Sequence, residues 1–336
     1  PERTTPESLD LQALFARMRD AGCTHVVMEV SSHALTLERV GGVHYDVAAF
    51  TNLTEDHLDF HKTMDAYCEA KAELFRRCGK AVINMDDEYS DRILAAAACP
   101  VLTTSVKTAE GLHAENVELH AEGIRFTAVL GKERAPVSLS IPGGFTVYNA
   151  LTVLGCAYQL GISLHDCAAA LRTAQGVKGR VEVVPTPGKD YTVLIDYAHT
   201  PDALENVLRS VRDFCKGRLI SVFGCGGDRD PIKRPIMGHI GVSLSDIAVI
   251  TSDNPRTESP MAIIGDIVKG VKPGDGEYIV IEDRPAAIRY AMDIAEKNDI
   301  IVLAGKGHET YQDIGGHKRH LDEREEVAAH LTELRN

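Results

Sequence analysis

The stretch at residues 50–75, FTNLTEDHLDFHKTMDAYCEAKAELF, passes from an apolar strand end through acidic and imidazole side chains into a helix. The apolar lead-in at residues 47–50 predicts a core strand, and Tyr67, Leu74 and Phe75 recur at helical spacing. Ligands of open α/β sheets bind beyond the carboxyl ends of strands. We therefore predict a site here, although a polar loop, a core histidine and a solvated lysine would explain His57 and Lys71 taken singly.

The residues on either side of this stretch predict alternating helices and strands. Residues 9–19 carry one apolar helical face that ends at Gly22, and THVVMEV (24–30) is a continuous apolar run, as in buried parallel strands. Glu29 would lie at the carboxyl end of that strand. Downstream, AVINMDDEYS predicts a strand and turn, GIRFTAVLGKERAPVSLS predicts hairpin strands, and two helices are expected near residues 147–160 and 166–172.

The second half of the chain predicts a second α/β domain. Residues 175–189 are rich in Gly and Pro without a long apolar face, so the boundary is placed at residue 178, giving domains 1–178 and 179–336. The runs TVLID, LISVFG, IAVIT, YIVI and IIVLAG each precede a helical pattern. The predicted fold class is α/β, with two doubly wound, mostly parallel sheets, the first of them incomplete.

Composition narrows the functional classes. The chain has 336 residues, enough for two domains, with 44% hydrophobic residues and a formal net charge of −13. That charge argues against non-specific binding to nucleic acid or to an anionic membrane surface. No apolar run approaches the length of a membrane span. The eight cysteines form no CxxC pair, which indicates reduced thiols in a cytoplasm.

Polar loops follow most strands of the predicted second sheet. GCGGDRD offers backbone N–H groups to a phosphate or carboxylate, although a tight turn explains its glycines equally well. In DNPR, Arg256 presents a planar fork that matches a carboxylate, with a structural Arg–Asp pair as the alternative. Glu309 of GKGHE suits an amine. Thr200 and Pro201 of HTPD also predict the start of a helix.

Glu29, His57 and Lys71 form a candidate metal set. A lysine that has taken up CO2 on its amine becomes a carbamate, which is an anionic oxygen donor. With a carboxylate and an imidazole it could hold Mg²⁺, which prefers oxygen ligands. Composition alone favours ordinary structural roles for the three residues.

Eight motifs in a fixed order resemble the Mur ligases over nearly the whole chain: EVSSHAL, TNLTEDHLDFH, EAKAELF, GRVE, DYAHTPD, GGDRD, DNPR and GKGHE. The resemblance implies a monomeric, cytoplasmic, ATP- and Mg²⁺-dependent acid–amino-acid ligase of peptidoglycan synthesis, and so of cell shape and cell division. The implied substrates are UDP-MurNAc-L-Ala-D-Glu and meso-diaminopimelate. The glutamate carboxylate is phosphorylated to an acyl phosphate, the amine attacks, and phosphate leaves.

The resemblance also implies roles for individual positions. The catalytic, Mg²⁺-holding set would be Glu29, His57 and carbamylated Lys71. The nucleotide-sugar peptide would contact Thr4, Thr5, Ser31 and Arg39, and ATP would contact Asn149, Arg180, Asp196 and His199. The incoming amino acid would contact Arg229, Asp253, Asn254, Arg256, Gly305 and Glu309. In the family DNPR is associated with meso-diaminopimelate, whose distal end carries both an ammonium and a carboxylate.

Two departures and three rival interpretations accompany this resemblance. Thr146 stands where the family pattern has Asn, and no GxxGKT phosphate loop occurs, which the family places before Pro1. We therefore expect an N-terminally truncated chain that alone binds ATP poorly and does not turn over. The rivals are a lysine-adding ligase, a folylpolyglutamate synthetase-like ligase and a non-catalytic assembly partner. DNPR disfavours the first two, and the intact Glu29, His57 and Lys71 disfavour the third.

Overall fold

The computed structural model describes residues 4–54 and 56–333, with residue 59 described by its backbone alone. The chain divides into two compact units. The first comprises Pro1–Val117, Phe126–Val137 and Val147–Leu171, and the second comprises Glu118–Arg125, Ser138–Thr146 and Arg172–Asn336. The simpler division at residue 178 stays a prediction.

The first sheet has six strands in the order β1-β2-β3-β4-β5-β6, and β1 to β4 pair in parallel. Helices separate β1, β2 and β3, as is usual for parallel neighbours, whereas β4 follows β3 without an intervening helix. Only two residues separate β4 from β5 and β5 from β6, which is the length of a hairpin connection. The elements are α1 (Ser8–Asp20), α2 (Ser32–Thr36), β1 (Tyr45–Phe50), α3 (Leu58–His61), α4 (Met64–Arg76), β2 (Cys78–Asn84), α5 (Ser90–Ala96), β3 (Val101–Ser105), β4 (Leu112–His120), β5 (Gly123–Leu130), β6 (Glu133–Leu139), α6 (Gly144–Gln159) and α7 (Leu164–Leu171).

The second sheet has the order β11-β10-β9-β12-β8-β7 and is parallel except for β7. All five predicted strands are present, which confirms the α/β fold class. A helix is the next element after each of the first four, whereas the hairpin β13–β14 separates β12 from the last helix. The elements are β7 (Glu182–Val184), β8 (Thr192–Asp196), α8 (Pro201–Arg212), β9 (Leu219–Phe223), α9 (Lys233–Ser243), β10 (Ile247–Ile250), α10 (Pro260–Val268), β11 (Glu277–Val280), α11 (Arg284–Asp293), β12 (Ile300–Ala304), β13 (Tyr311–Ile314), β14 (His317–His320) and α12 (Glu323–Glu333).

Strand order in the second sheet gathers the polar loops. Every residue of β9 and β12 is buried, because helices cover both faces of the sheet. β12 lies between β8 and β9, and β10 follows β9. The loops after these four parallel strands therefore emerge at one edge, where ligands of such sheets bind.

The predicted strand over residues 24–30 is wrong. The segment has no strand assignment, and Val27 is 98% exposed. An apolar run becomes a strand only where a neighbouring strand takes up its backbone hydrogen bonds, and within the described residues β1 pairs with β2 alone. Thr5 holds the end of the segment instead. Its buried hydroxyl donates to the carbonyl of Glu29 (3.0 Å) and accepts from the N–H of Ser31 (3.1 Å).

A buried ion pair joins the last two helices of the second unit. Arg284 Nε lies 2.8 Å from Glu323 Oε1, with both side chains at most 1% exposed, and Arg284 Nη2 donates to the carbonyl of Ala304. Arg284→Met is expected to lower the free energy of unfolding by about 3–5 kcal/mol, because it strands a buried carboxylate. Urea denaturation measures this loss.

The neighbouring pair Arg289–Glu326 supplies the matched control, since it joins the same helices but Arg289 is 42% exposed. Arg289→Met should cost no more than about 1 kcal/mol. Equal losses in the two variants would contradict the account of the buried pair.

Candidate active site

Lys71 lies on α4 in a half-buried, acidic setting. Burial lowers the pKa of its amine, while the charges of Asp56 and Glu29 act to raise it. Its Nζ lies 5.2 Å from the ring centre of Tyr67. The lowered pKa increases the share of neutral amine, which is the form that reacts with CO2. Glu29, a second member of the predicted metal set, thus contributes to the negative surroundings of the Lys71 amine.

His57 precedes α3 in a left-handed backbone conformation, with φ of 54°. Its Nδ1 lies 3.3 Å from Asp56 Oδ1, and its ring packs edge-on against Tyr67 with centroids 5.9 Å apart. Because Tyr67 also lies beside Lys71, His57 and Lys71 flank one aromatic ring. His61 stacks on the same ring at 5.0 Å and is bonded to Ser32 Oγ through Nε2 (2.8 Å).

The fit of a Mg²⁺ ion to this set depends on the state of Lys71. Among the described residues no cluster of three or more His, Cys, Asp or Glu side chains suits a metal. Glu29 and His57 supply one carboxylate and one imidazole, and a free lysine amine is not a magnesium donor. The donor set fits Mg²⁺ once Lys71 carries a carbamate, which supplies the missing oxygens.

Several of the residues predicted to contact the nucleotide-sugar peptide use their side chains in hydrogen bonds or ion pairs within the protein. Thr5 is 1% exposed and uses its hydroxyl in the backbone clamp described above. Ser31 caps α2 by accepting from the N–H of Ala34. Arg39 Nε lies 3.1 Å from Glu7 Oε1, and Thr4 is exposed. A side chain that orders its own loop can still face a ligand, so these assignments stay predictions.

Among the residues predicted to face ATP, Asp196 has a clear structural task. It is 7% exposed and accepts the N–H groups of Val181 and Ala198, both at 2.8 Å. Burial raises the pKa of its carboxyl, and these two hydrogen bonds oppose that shift. The bond to Val181 fixes the segment that carries Arg180, whose guanidinium lies 5.4 Å from the ring centre of Tyr197. Asp196 therefore positions the GRVE segment.

The other residues near the predicted ATP site differ in whether their side chains are free to contact a nucleotide. His199 is exposed, with Nδ1 2.9 Å from the carbonyl of Tyr197, so Nδ1 carries the proton in that bond. Asn149 is exposed on α6. Thr146 is buried and donates to the carbonyl of Pro142 (3.0 Å), which gives it a structural role in starting α6.

The loops after β10 and β12 bring together several residues that are predicted to contact the incoming amino acid. Asn254 Nδ2 donates to Glu309 Oε2 (2.9 Å), and Asn254 Oδ1 accepts from the N–H of Asp313 (2.9 Å). Lys306 is 0% exposed and its Nζ lies 3.1 Å from Asn254 Oδ1. Asp253 is also buried. The structure therefore brings Asp253, Asn254 and Glu309 together, as the motifs predict.

Arg256 lies two residues after Asn254 on the same loop and adds a positive charge to that loop. It has a φ of 51° and one strong contact, from Nη1 to the carbonyl of Gly227 (2.6 Å). Its backbone is fixed by hydrogen bonds to the chain at Asp313 and Gly315. Arg229 is exposed, and its Nη1 donates to the carbonyl of Asp228 (3.1 Å). Most donors of both guanidinium groups stay available for a carboxylate.

Gly305 lies next to Asp253, so a substitution at Gly305 tests whether the position of Asp253 matters for amino-acid binding. Its φ is 117°, and a Cβ at this position would lie 2.7 Å from Asp253 Oδ2. Gly305→Ala is expected to weaken amino-acid binding and to cost about 1–3 kcal/mol of stability, because it strains the backbone and displaces Asp253. Calorimetric titration and urea denaturation measure the two effects.

Gly274→Ala is the control for backbone strain alone, since Gly274 has a φ of 95° and nothing within 4 Å of an added Cβ. It should lose stability and keep ligand affinity. Equal affinity in Gly305→Ala and wild type would contradict the placement of Asp253 in the pocket.

The motifs do not indicate the residues that brace the loop carrying Arg256. Asp228 holds the N–H and hydroxyl of Thr257, and its own N–H donates to Glu258. Glu258 in turn pairs with Arg234, which is 3% exposed. The sequence signal for this brace is weak, because Arg234 appears as an ordinary solvated residue of KRP.

Two further findings concern the chain as a whole. All eight cysteines are free thiols, and burial together with Cys99 raises the pKa of Cys78 to about 12.

Within the described residues, no helix combines the length and apolar character that crossing a membrane requires.

Comparisons with known proteins agree with the motifs. Residues 1–157 match the model of the Mur ligase middle domain, and residues 179–307 match that of the Mur ligase glutamate ligase domain. The chain is 50% identical over 333 residues to the UDP-N-acetylmuramoyl-L-alanyl-D-glutamate–2,6-diaminopimelate ligase of Clostridium botulinum, covering 99% of this chain and 68% of that protein. The ligase of the same name from Gloeobacter violaceus is 48% identical, with 99% and 68% covered.

Solved structures give the same result. A structure of a UDP-N-acetylmuramoyl-L-alanyl-D-glutamate–2,6-diaminopimelate ligase aligns with a TM-score of 0.79 and 34% identity over 99% of this chain and 69% of that chain. A folylpolyglutamate synthase from Thermotoga maritima aligns with a TM-score of 0.58 and 18% identity over 80% of this chain and 59% of that one, which shows a shared fold alone. With these matches in sequence and structure, the chain belongs to the Mur ligase family.

Proposed function

We propose that this chain carries the chemistry of an ATP-dependent ligase that adds meso-diaminopimelate to UDP-MurNAc-L-Ala-D-Glu in peptidoglycan synthesis. The observation that carries the specificity is the pocket at the second sheet, where Asp253 and Glu309 lie with Asn254 and where Arg256 follows on the same loop. The distal end of meso-diaminopimelate bears an ammonium and a carboxylate. Carboxylates suit the first of these groups and a guanidinium fork suits the second.

The amino-acid specificity follows from these charges. Arg256 pairs with the distal carboxylate, since its one strong contact leaves donors to spare. Glu309 and Asp253 receive the ammonium, and Asn254 keeps Glu309 in place. Lysine has no distal carboxylate, so it would leave Arg256 without a partner. The pocket therefore favours meso-diaminopimelate over lysine.

Lys71, Glu29 and His57 serve the phosphate end of the reaction in this proposal. ATP supplies the phosphoryl group that activates the glutamate carboxylate, and Mg²⁺ neutralises charge on the phosphates. Glu29, His57 and the carbamate of Lys71 would hold that ion. One observation supports the carbamate: burial lowers the pKa of Lys71, which favours the neutral amine that takes up CO2.

The cellular setting belongs to the same proposal. The substrates are nucleotide-linked precursors, so the reaction takes place in the cytoplasm, and the enzyme acts as a monomer. Eight unpaired thiols fit a reducing compartment.

Product formation in the full-length gene product tests the reaction. UDP-MurNAc-L-Ala-D-Glu, ATP, Mg²⁺ and meso-diaminopimelate should give one amide product by mass spectrometry and one phosphate for each product formed. Omitting any one substrate should abolish both signals. Absence of product with every amino acid tried would instead support a non-catalytic assembly partner.

A further inference from the structure

Lys306 lies at the centre of the pocket loops. It follows β12 in GKGHE, yet its side chain is 0% exposed, which is rare for a lysine. A buried ammonium persists only when it is paired and hydrogen-bonded. Lys306 meets that condition with three oxygens: Asn254 Oδ1 at 3.1 Å, Glu309 Oε2 at 3.3 Å and Asp253 Oδ1 at 3.5 Å.

These contacts join two loops that are remote in sequence. Asp253 and Asn254 follow β10, whereas Lys306 and Glu309 follow β12. Asn254 also donates to Glu309, so Lys306, Asn254 and Glu309 form a closed triangle of hydrogen bonds. Without the ammonium, two carboxylates would face one another in a poorly solvated space and repel.

The formal charges of the three ionisable residues in this cluster, Asp253, Glu309 and Lys306, do not cancel. Asp253 and Glu309 contribute two negative charges, and Lys306 contributes one positive charge, so the net charge is one negative. One further ammonium group neutralises the cluster. We propose that Lys306 is the positioning residue of the amino-acid pocket: it holds Asp253 and Glu309 together and leaves the charge that one substrate ammonium balances.

This inference rests on the proposed meso-diaminopimelate pocket, and its test separates the two. Calorimetric titration of meso-diaminopimelate is compared between wild type, Lys306→Met and Lys306→Ala. Both substitutions are expected to weaken binding by about tenfold or more, equivalent to about 1.4 kcal/mol. A wild-type protein that fails to bind meso-diaminopimelate would count against the proposed function, whereas equal binding by all three proteins would overturn the role of Lys306.

Chemical rescue distinguishes the charge of Lys306 from its bulk. n-Propylammonium replaces the atoms that Lys306→Ala removes, and n-propanol has the same size without the charge. Added n-propylammonium should restore affinity in Lys306→Ala, and n-propanol should not. Equal rescue by both compounds would reduce Lys306 to a space-filling residue.

Thermal unfolding of each variant completes the test. Because n-propylammonium returns the missing charge, Lys306→Ala should unfold cooperatively in its presence. If Lys306→Met and Lys306→Ala are both unfolded even with the amine added, the inference is overturned, since the ammonium alone then fails to restore the cluster.

Discussion

Lys71→Ala is expected to lower ATP-dependent phosphate release by the full-length gene product at least about 100-fold, equivalent to about 2.7 kcal/mol of activation free energy. Alanine removes the only group of the proposed Mg²⁺ set that can carry a carbamate. Glu29 and His57 alone offer too few donors to hold the ion. Phosphate release in the presence of both substrates measures the effect.

Lys132→Ala is the matched control, because Lys132 is an exposed lysine in the turn between β5 and β6. It should retain full activity. Wild-type protein freed of CO2 should lose activity and regain it with bicarbonate, and the peptide that contains Lys71 should gain the mass of one CO2. Full activity in Lys71→Ala would refute the metal role.

Arg256→Lys is expected to weaken binding of meso-diaminopimelate by about 10- to 100-fold, because it keeps the positive charge and removes the planar fork. Binding of L-lysine should change little, since lysine offers no distal carboxylate to Arg256. Calorimetric titration with both amino acids measures the two affinities.

Arg209→Lys is the control for this substitution, because Arg209 pairs with Glu205 on the surface of α8. It should leave both affinities unchanged. A parallel loss of meso-diaminopimelate and lysine binding in Arg256→Lys would indicate that Arg256 supports the loop rather than the distal carboxylate.

The sequence predicts elements best where a single local pattern decides the outcome. The five predicted strands of the second sheet, β8 to β12, are mostly apolar runs, and all five form. Residues 24–30 show the same pattern and form no strand. A strand needs a hydrogen-bonding neighbour as well as apolar side chains, and the pattern carries no information about that neighbour.

Within the candidate site, motifs predict which residues gather, and packing decides what each one does. The structure brings Asn254 and Glu309, from DNPR and GKGHE, into hydrogen-bond contact, while their role in amino-acid binding stays a prediction. The burial of Lys306 depends on contact between loops more than fifty residues apart, as in its bond to Asn254, at a separation of 52 residues. The resemblance implies that Asp196 contacts ATP, and its two hydrogen bonds to backbone N–H groups add a structural role that its motif does not indicate.

The most direct test of the account compares kcat/KM for meso-diaminopimelate and L-lysine in ATP-dependent phosphate release by the full-length gene product with UDP-MurNAc-L-Ala-D-Glu. We predict a preference for meso-diaminopimelate of at least about 100-fold, since lysine leaves the Arg256 fork unpaired. Equal values, or a preference for L-lysine, would contradict the proposed specificity.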